Sequence, residues 1–225
     1  ARMRGLLLAF CRELATARTL DDVLRHTLSI TTVVTNSQRV SIMLPDDTGE
    51  TLTIAKSAGI AADMAASVRV PMGYGIAGSV FRSGLAIVVN TLDEARGHQL
   101  GLESQAFASV PMVTTALGTG DRVVGVLNVT DREDDCPFTG AELEYIDLIA
   151  GIAGATIHSL TSRRACDEAQ DSIVVALASL AERRDVETGR HLDRVTRFSL
   201  ILAHELRRDA AHAAVLDERF LRELE

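Results

Sequence analysis

Two side chains have the types and spacing from which a metal site is begun: Glu187 and His191, within residues 183–194, Arg-Arg-Asp-Val-Glu-Thr-Gly-Arg-His-Leu-Asp-Arg. A carboxylate and an imidazole side by side suit iron or manganese, either of which can activate a bound water. Two ligands do not hold a catalytic ion, and the same residues have a plain helical reading. Thr188 is a good N-cap, Glu187 favours the positive end of a helix, and His191 falls in the first turn. On the residues alone the plain reading is the stronger. The three cysteines, Cys11, Cys136 and Cys166, add no ligand set. They are odd in number, lack C-x-x-C spacing, and read as thiols in a reducing cytosol.

The elements around the pair are helical. Val195, Phe198, Leu202 and Leu206 continue as one amphipathic helix, and residues 215–224 begin another. Upstream, from residue 139 to about 184, Leu143, Ile146, Ile149, Ile152 or Ala153, Ile157, Leu160, Ile173, Leu177 and Leu180 recur largely at three- and four-residue steps, with no Pro or Gly after Gly154. One long helix is the expectation, in preference to a domain-packing helix that breaks near Ser162. Its stripe Ile146, Ile149, Ala153, Ile157 and Leu160 would be an apolar seam in water. A homodimer through a helical bundle follows, with Leu7, Phe10 and Leu14 adding to the seam.

The first 36 residues carry Leu7, Phe10, Leu14, Leu20, Val23, Leu24 and Leu28 at helical steps, which predicts two helices broken near a capping Thr19. The period then changes. Val40, Ile42 and Leu44 alternate before Asp46-Asp47-Thr48-Gly49, and Leu52 and Ile54 alternate after it, a hairpin. Further strands are predicted around Val68, Val70 and Met72, and over residues 86–89, 109–115 and 123–129, the last two joined by Gly118-Thr119-Gly120-Asp121. Hairpin-linked strands require an antiparallel sheet. Helices grouped before and after it make the fold class α+β.

Composition excludes several roles. The 225 residues are 47% apolar, ample for a core, with a net charge of −8. The basic residues, Lys56 the only lysine, are scattered among acids, so no stripe for a phosphate backbone forms and nucleic acid is not a partner. Residues 6–11 follow Arg2 and Arg4 as a signal peptide's apolar core would, but Arg12 and Glu13 end the run too early. The longest candidate span, residues 143–160, is interrupted by Glu144 and Asp147, so no membrane segment and a cytoplasmic location are expected.

The order of two helices and a hairpin, then Val70-Pro71-Met72-Gly73-Tyr74-Gly75-Ile76-Ala77-Gly78-Ser79-Val80, Gly84-Leu85-Ala86-Ile87-Val88-Val89-Asn90, Ser109-Val110-Pro111-Met112, Val124-Gly125-Val126-Leu127-Asn128-Val129, and Phe138-Thr139 before a long helix, resembles a GAF domain over about residues 3–162. That resemblance implies a six-stranded antiparallel sheet flanked by helices, a helical face that often dimerises, and a loop-covered face that can hold a small ligand. Gly73 to Gly78 also spells G-x-G-x-x-G, but too few residues follow for a crossover helix, so no dinucleotide site is expected. The cyclic-nucleotide signature is partial: Asn128 precedes Val129, and Phe138 is followed by Glu142 and then Leu143. Cys136 lacks the companions of a bilin-attachment site, and the clustered cysteines of a free methionine sulfoxide reductase are missing.

The positions matching the family's pocket wall are Ser41 and Met43, Ile76, the loop 90–98, Phe107 and Met112. Asn90, Thr91 and His98 are the polar groups that could orient a ligand. A collapsed apolar core with solvated loops is the equal alternative.

Residues 177–195 resemble the opening of an HD-GYP phosphodiesterase domain, with its Arg-Asp, Thr-Gly-x-His and Arg-Val elements. The resemblance implies that His191, and Glu187 in members with the larger cluster, are metal ligands in a parent protein using iron or manganese. None of the six His residues precedes Asp and no Gly-Tyr-Pro occurs, so no cofactor and no activity are expected of this chain by itself. The reading is a bacterial GAF sensor over residues 1–162, a signalling helix over 163–185, and the truncated front of an HD-GYP-like domain over 186–225, controlling cyclic di-GMP hydrolysis. The alternative is a small-molecule-binding, cyclic-nucleotide-binding or purely dimerising GAF module feeding another output.

Overall fold

A computed structural model describes residues 2–91, 94, 106–116, 120–133, 136–183, 189–209, 212 and 215–224. The chain divides into two compact units, Ala1–Arg163 and Arg164–Glu225. The described residues form seven helices, α1 (Arg2–Thr16), α2 (Leu20–Thr35), α3 (Ala62–Ser67), α4 (Gly75–Ser83), α5 (Gly140–Arg183), α6 (Gly189–Leu206) and α7 (Glu218–Leu224). The strands are β1 (Ser37–Pro45), β2 (Thr51–Ala58), β3 (Arg69–Pro71), β4 (Ile87–Val89), β5 (Phe107–Ala116) and β6 (Gly120–Arg132). They make one antiparallel sheet in the order β3-β2-β1-β6-β5-β4. The fold class is α+β, as the periodicities require.

Local chemistry sets the boundaries. The Thr19 hydroxyl accepts from the Asp22 backbone N–H at 3.1 Å and donates to the Asp22 carboxylate at 2.7 Å, starting α2 where the pattern places it. The Thr19 hydroxyl, with Arg25 second, holds the Asp22 carboxyl down to about 2. Gly49 takes a positive φ of 71° in the β1/β2 turn, whose ends close through the Asp46 N–H on the Thr51 carbonyl at 2.8 Å. The turn residues 117–119 lie outside the described residues. Gly73 and Gly75 also have positive φ, and a Cβ at Gly78 would stand 2.5 Å from the Pro71 carbonyl oxygen. The Gly-rich segment is thus a tight turn into the nine-residue α4, and among the described residues no βαβ crossover forms around it.

Strand alternation divides the core. Val40 and Ile42 of β1, Ala108, Val110 and Met112 of β5, and Leu127 and Val129 of β6 are buried with Phe10, Leu14, Val23, Leu28, Ile146, Ile149, Ala153 and Ile157 of the helices. The other sheet face carries a smaller cluster, Met43, Leu52, Val80 and Val126, covered by α4 and its neighbours. Helix α5 approaches β5 closely, since a Cβ on Gly154 would lie 2.9 Å from the Met112 backbone carbon. In α2, Thr27, Thr31 and Thr35 are fully buried, and each hydroxyl donates to the carbonyl four residues earlier at 2.7 Å.

This packing corrects the expected seam. Ile146, Ile149, Ala153 and Ile157, with Phe10 and Leu14, are buried in one cluster with the chain's own sheet residues, and Leu7 and Leu160 pack partly buried against it. The sheet face made by Val40, Ile42, Val110 and Leu127 is apolar and must be buried, and the helical stripe satisfies it within one copy. What α1, α2 and α5 leave outward is different: Leu8, Val33 and Leu148, each about half exposed.

In the second unit, Ala203 of α6 and Leu221 of α7 are buried, Arg207 pairs with Glu218 at 2.5 Å, and Asp217 caps α7 by accepting from the N–H groups of Arg219 and Phe220. Val195, Phe198, Ile201, Leu202 and Leu206 of α6 are exposed.

Candidate functional site

The sheet face away from α1, α2 and α5 carries a cavity of about 240 Å³, lined by Arg39, Ser41, Met43, Ile54, Ile60, Val68, Ala77, Phe107, Asn128 and Thr130. Its floor follows from register. Ser41 of β1 and Ser109 of β5 both stand opposite Asn128 of β6, so three polar side chains form a row across adjacent strands. The Ser109 hydroxyl donates to Asn128 Oδ1 at 2.7 Å, and Asn128 Nδ2 donates to the Ser41 hydroxyl at 3.4 Å. In the next row Arg39 and Phe107 stand opposite Thr130. The Thr130 hydroxyl oxygen is buried and has no hydrogen-bond partner among the described residues. Arg39 Nε, at the edge of the cavity, is 3.0 Å from the Asp131 carboxylate.

Of the residues singled out from sequence, Ser41, Met43 and Phe107 line this cavity. Ile76 does not; it packs in the cluster of Met43, Leu52 and Val126, and its neighbour Ala77 supplies the wall. Met112 is a correction. It is fully buried on the opposite face with the helices, because an odd number of positions separates it from Phe107 and the β5 register shift comes only between Met112 and Val113.

Asn90 and Thr91 are spent on structure. Asn90 Oδ1 accepts from the Phe138 N–H at 2.8 Å while Nδ2 donates to the Phe138 carbonyl at 3.3 Å, which ties the end of β4 to the segment before α5. The Thr91 hydroxyl accepts from the Glu94 N–H at 3.2 Å, and the Glu94 carboxylate accepts from the N–H groups of Asn90 and Thr91, a capping box. His98 and Glu187 lie outside the described residues, as does the side chain of His191, whose backbone belongs to the first turn of α6. Among the described residues no group of three His, Cys, Asp or Glu side chains is placed to hold a metal.

Sequence reasoning missed Arg39, Ile54, Ile60, Val68, Ala77 and Thr130 as lining and gave Asn128 no pocket role. A signal existed for Asn128 and Thr130, which alternate with Leu127 and Val129 and so had to face the other side of β6. The start of α5 also carries an arrangement that the partial signature conceals. Arg132 Nη1 bonds the Glu142 carboxylate at 2.9 Å and its guanidinium lies 4.9 Å from the Phe138 ring centre. Burial opposes the charge on Glu142, but the Thr139 N–H and hydroxyl and the Arg132 guanidinium outweigh it and hold the carboxyl below its usual range.

The model of the GAF domain family matches residues 19–157, well over half of the chain. This chain belongs to the GAF family. Among solved structures, the GAF domain of an Acinetobacter phosphoenolpyruvate-protein phosphotransferase is similar at 17% identity and a TM-score of 0.59, covering 70% of this chain and 93% of that one. A GAF domain/HD domain protein from Geobacter sulfurreducens is similar at 15% identity and a TM-score of 0.52, covering 66% of this chain and 97% of that one. At these identities the likeness is one of fold. A curated protein of Vibrio cholerae serotype O1, named a probable cyclic di-GMP phosphodiesterase, is 46% identical over 59 residues, which is 24% of this chain and 13% of that protein. The GAF unit supplies a sensory domain, and no helix among the described residues is long and apolar enough to cross a membrane.

Proposed function

We propose that this GAF domain works within a longer protein, where a small ligand in the cavity controls an HD-GYP-type phosphodiesterase acting on cyclic di-GMP. The observation that carries the reading is the 46% identity over 59 residues to the Vibrio protein, supported by the Arg-Asp, Thr-Gly-x-His and Arg-Val elements of residues 177–195. In this reading His191 and Glu187 are two ligands of an iron or manganese centre that the rest of the parent completes. The ion's part is to activate water against the phosphodiester. The described residues do not by themselves make up that centre.

The test is hydrolysis of cyclic di-GMP by the parent protein with manganese or iron. The parent is expected to turn over and its His191→Ala variant to lose at least ~100-fold, while the 225-residue chain stays inactive. A parent inactive with either metal, or a fully active His191→Ala parent, overturns the output; a ligand-binding GAF module feeding another output would then stand.

A second part of the reading is assembly. Leu8 of α1, Val33 of α2 and Leu148 of α5 lie exposed, and every residue of α5 from 161 to 177 is exposed, Ile173, Val174, Val175 and Leu177 among them. A bare helix of that length with apolar side chains in water favours pairing with a second copy. We expect light scattering at micromolar concentration to give a dimer mass, and a monomer mass would reject it.

A further inference from the structure

We propose that the cavity takes an uncharged, apolar molecule of single-ring size, held by shape and by the release of water rather than by hydrogen bonds. This deepens the reading of the cavity as a ligand site and rests on it. The wall carries the argument: Met43, Ile54, Ile60, Val68, Ala77 and Phe107 supply carbon and sulfur, and nearly all the surface that the cavity presents is apolar. The polar residues of the lining are engaged elsewhere. Asn128 accepts from the Ser109 hydroxyl and donates to the Ser41 hydroxyl, so the polar row of the floor is bonded along the sheet. The Thr130 hydroxyl oxygen is buried and offers the cavity nothing.

The remaining lining sets the charge. Arg39 is the one ionisable residue lining the cavity among the described residues, and its Nε is 3.0 Å from the Asp131 carboxylate. That carboxylate offsets the guanidinium, so neither an anion nor a cation finds an unbalanced partner, and a charged ligand gives up hydration to the apolar wall without return. Water fares little better. A water molecule needs two or more polar partners to be held, and an apolar cavity that cannot supply them favours an apolar guest. The volume, about 240 Å³, falls below the usual range for drug-sized ligands and suits one ring and its substituent.

The test uses the 225-residue chain with toluene as the probe, and benzamide and benzoate as its polar and charged counterparts, followed by methyl-detected NMR titration. Toluene is expected to shift the Met43, Ile54 and Val68 methyl signals saturably, and benzamide and benzoate each to bind at least ~5-fold more weakly. Ala77→Leu, which fills the cavity from α4, is expected to weaken toluene at least ~10-fold. Val68→Thr, which keeps the shape and puts a hydroxyl in the wall, is expected to weaken it about threefold. Thermal melts establish that the variants are folded, and if Ala77→Leu is not, Val68→Thr decides. No saturable shift at those methyls, benzamide or benzoate binding as tightly as toluene, or unchanged affinity in the folded variants overturns the proposal. Saturable binding of benzamide in preference to toluene would keep the cavity as a ligand site while overturning this choice of ligand. Control of a phosphodiesterase fails or stands separately, on the turnover of the parent protein.

Discussion

Ile149→Asp is expected to leave the chain without a cooperative fold. Ile149 is fully buried beneath the sheet with Ile146, Ala153 and Ile157, so the substitution removes a packed side chain and places a carboxylate where water does not reach. The cavity alone costs about 2–5 kcal/mol, and the unpaired charge adds several more before it protonates. The sum approaches the ~5–15 kcal/mol that holds a domain of this size together. Leu148→Asp is the control one position away, where the side chain is about half exposed and the fold is expected to survive. Far-UV circular dichroism melts of the two proteins decide the matter. A folded, monomeric Ile149→Asp protein would contradict the core and restore the idea that this stripe is a seam between copies.

The second large effect is expected from Arg132→Met. The side chain of Arg132 is almost fully buried, pairs with Glu142 at 2.9 Å and lies over the Phe138 ring, so methionine fills much of its space but leaves Glu142 without its cation. Removing one partner of a buried pair costs about 3–5 kcal/mol. Glu142 keeps some solvent and the Thr139 donors, which puts the expected loss nearer ~2–3 kcal/mol. For a chain of this length that is roughly 5–10 °C in melting temperature. The pH dependence has a definite sign. Glu142 is held below its ordinary 4.5 in the folded state, so its contribution is complete above that pH and disappears as pH falls through the lower folded value. Melts at pH 7 and pH 3 should therefore show the gap between parent and variant closing in acid. An equal gap at both values would assign the loss to packing alone.

Elements with a strong period are legible in the amino-acid sequence alone. The helices over the first 36 residues, the β1/β2 hairpin and the long α5 all announce themselves through apolar spacing, because each buries one continuous face. Which partner covers a face is a different kind of fact. The stripe on α5 looks the same whether a second copy or the chain's own sheet lies against it, and only the sheet's need to bury Val40, Ile42, Val110 and Leu127 decides between them. The cavity is legible only in part for a similar reason. Ser41, Met43 and Phe107 alternate correctly and can be found, whereas Met112 is misplaced by an odd count along one strand, and Thr130 escapes notice although its register with Phe107 brings it into the same row. Asn90 invites a ligand role because an Asn beside a loop usually has capacity to spare; here Phe138 takes both ends of its amide. The side chains of residues 178–193 lie outside the described structure, and the candidate metal ligands rest there on resemblance.

The three buried threonines of α2 bear on how this domain can vary over evolutionary time. Thr27, Thr31 and Thr35 give their hydroxyls to carbonyls of their own helix and therefore present methyl groups to the core. A valine at any of them keeps the shape, and each carbonyl still has its ordinary helical partner, so nothing is left unsatisfied. These positions tolerate exchange between a residue that reads as polar and one that reads as apolar while the volume beneath the sheet stays constant. A lineage could shift the apparent hydropathy of this helix by three such exchanges without altering what packs against Val23 and Leu28. Kinship among such domains is better preserved in the volume of this face than in its letters.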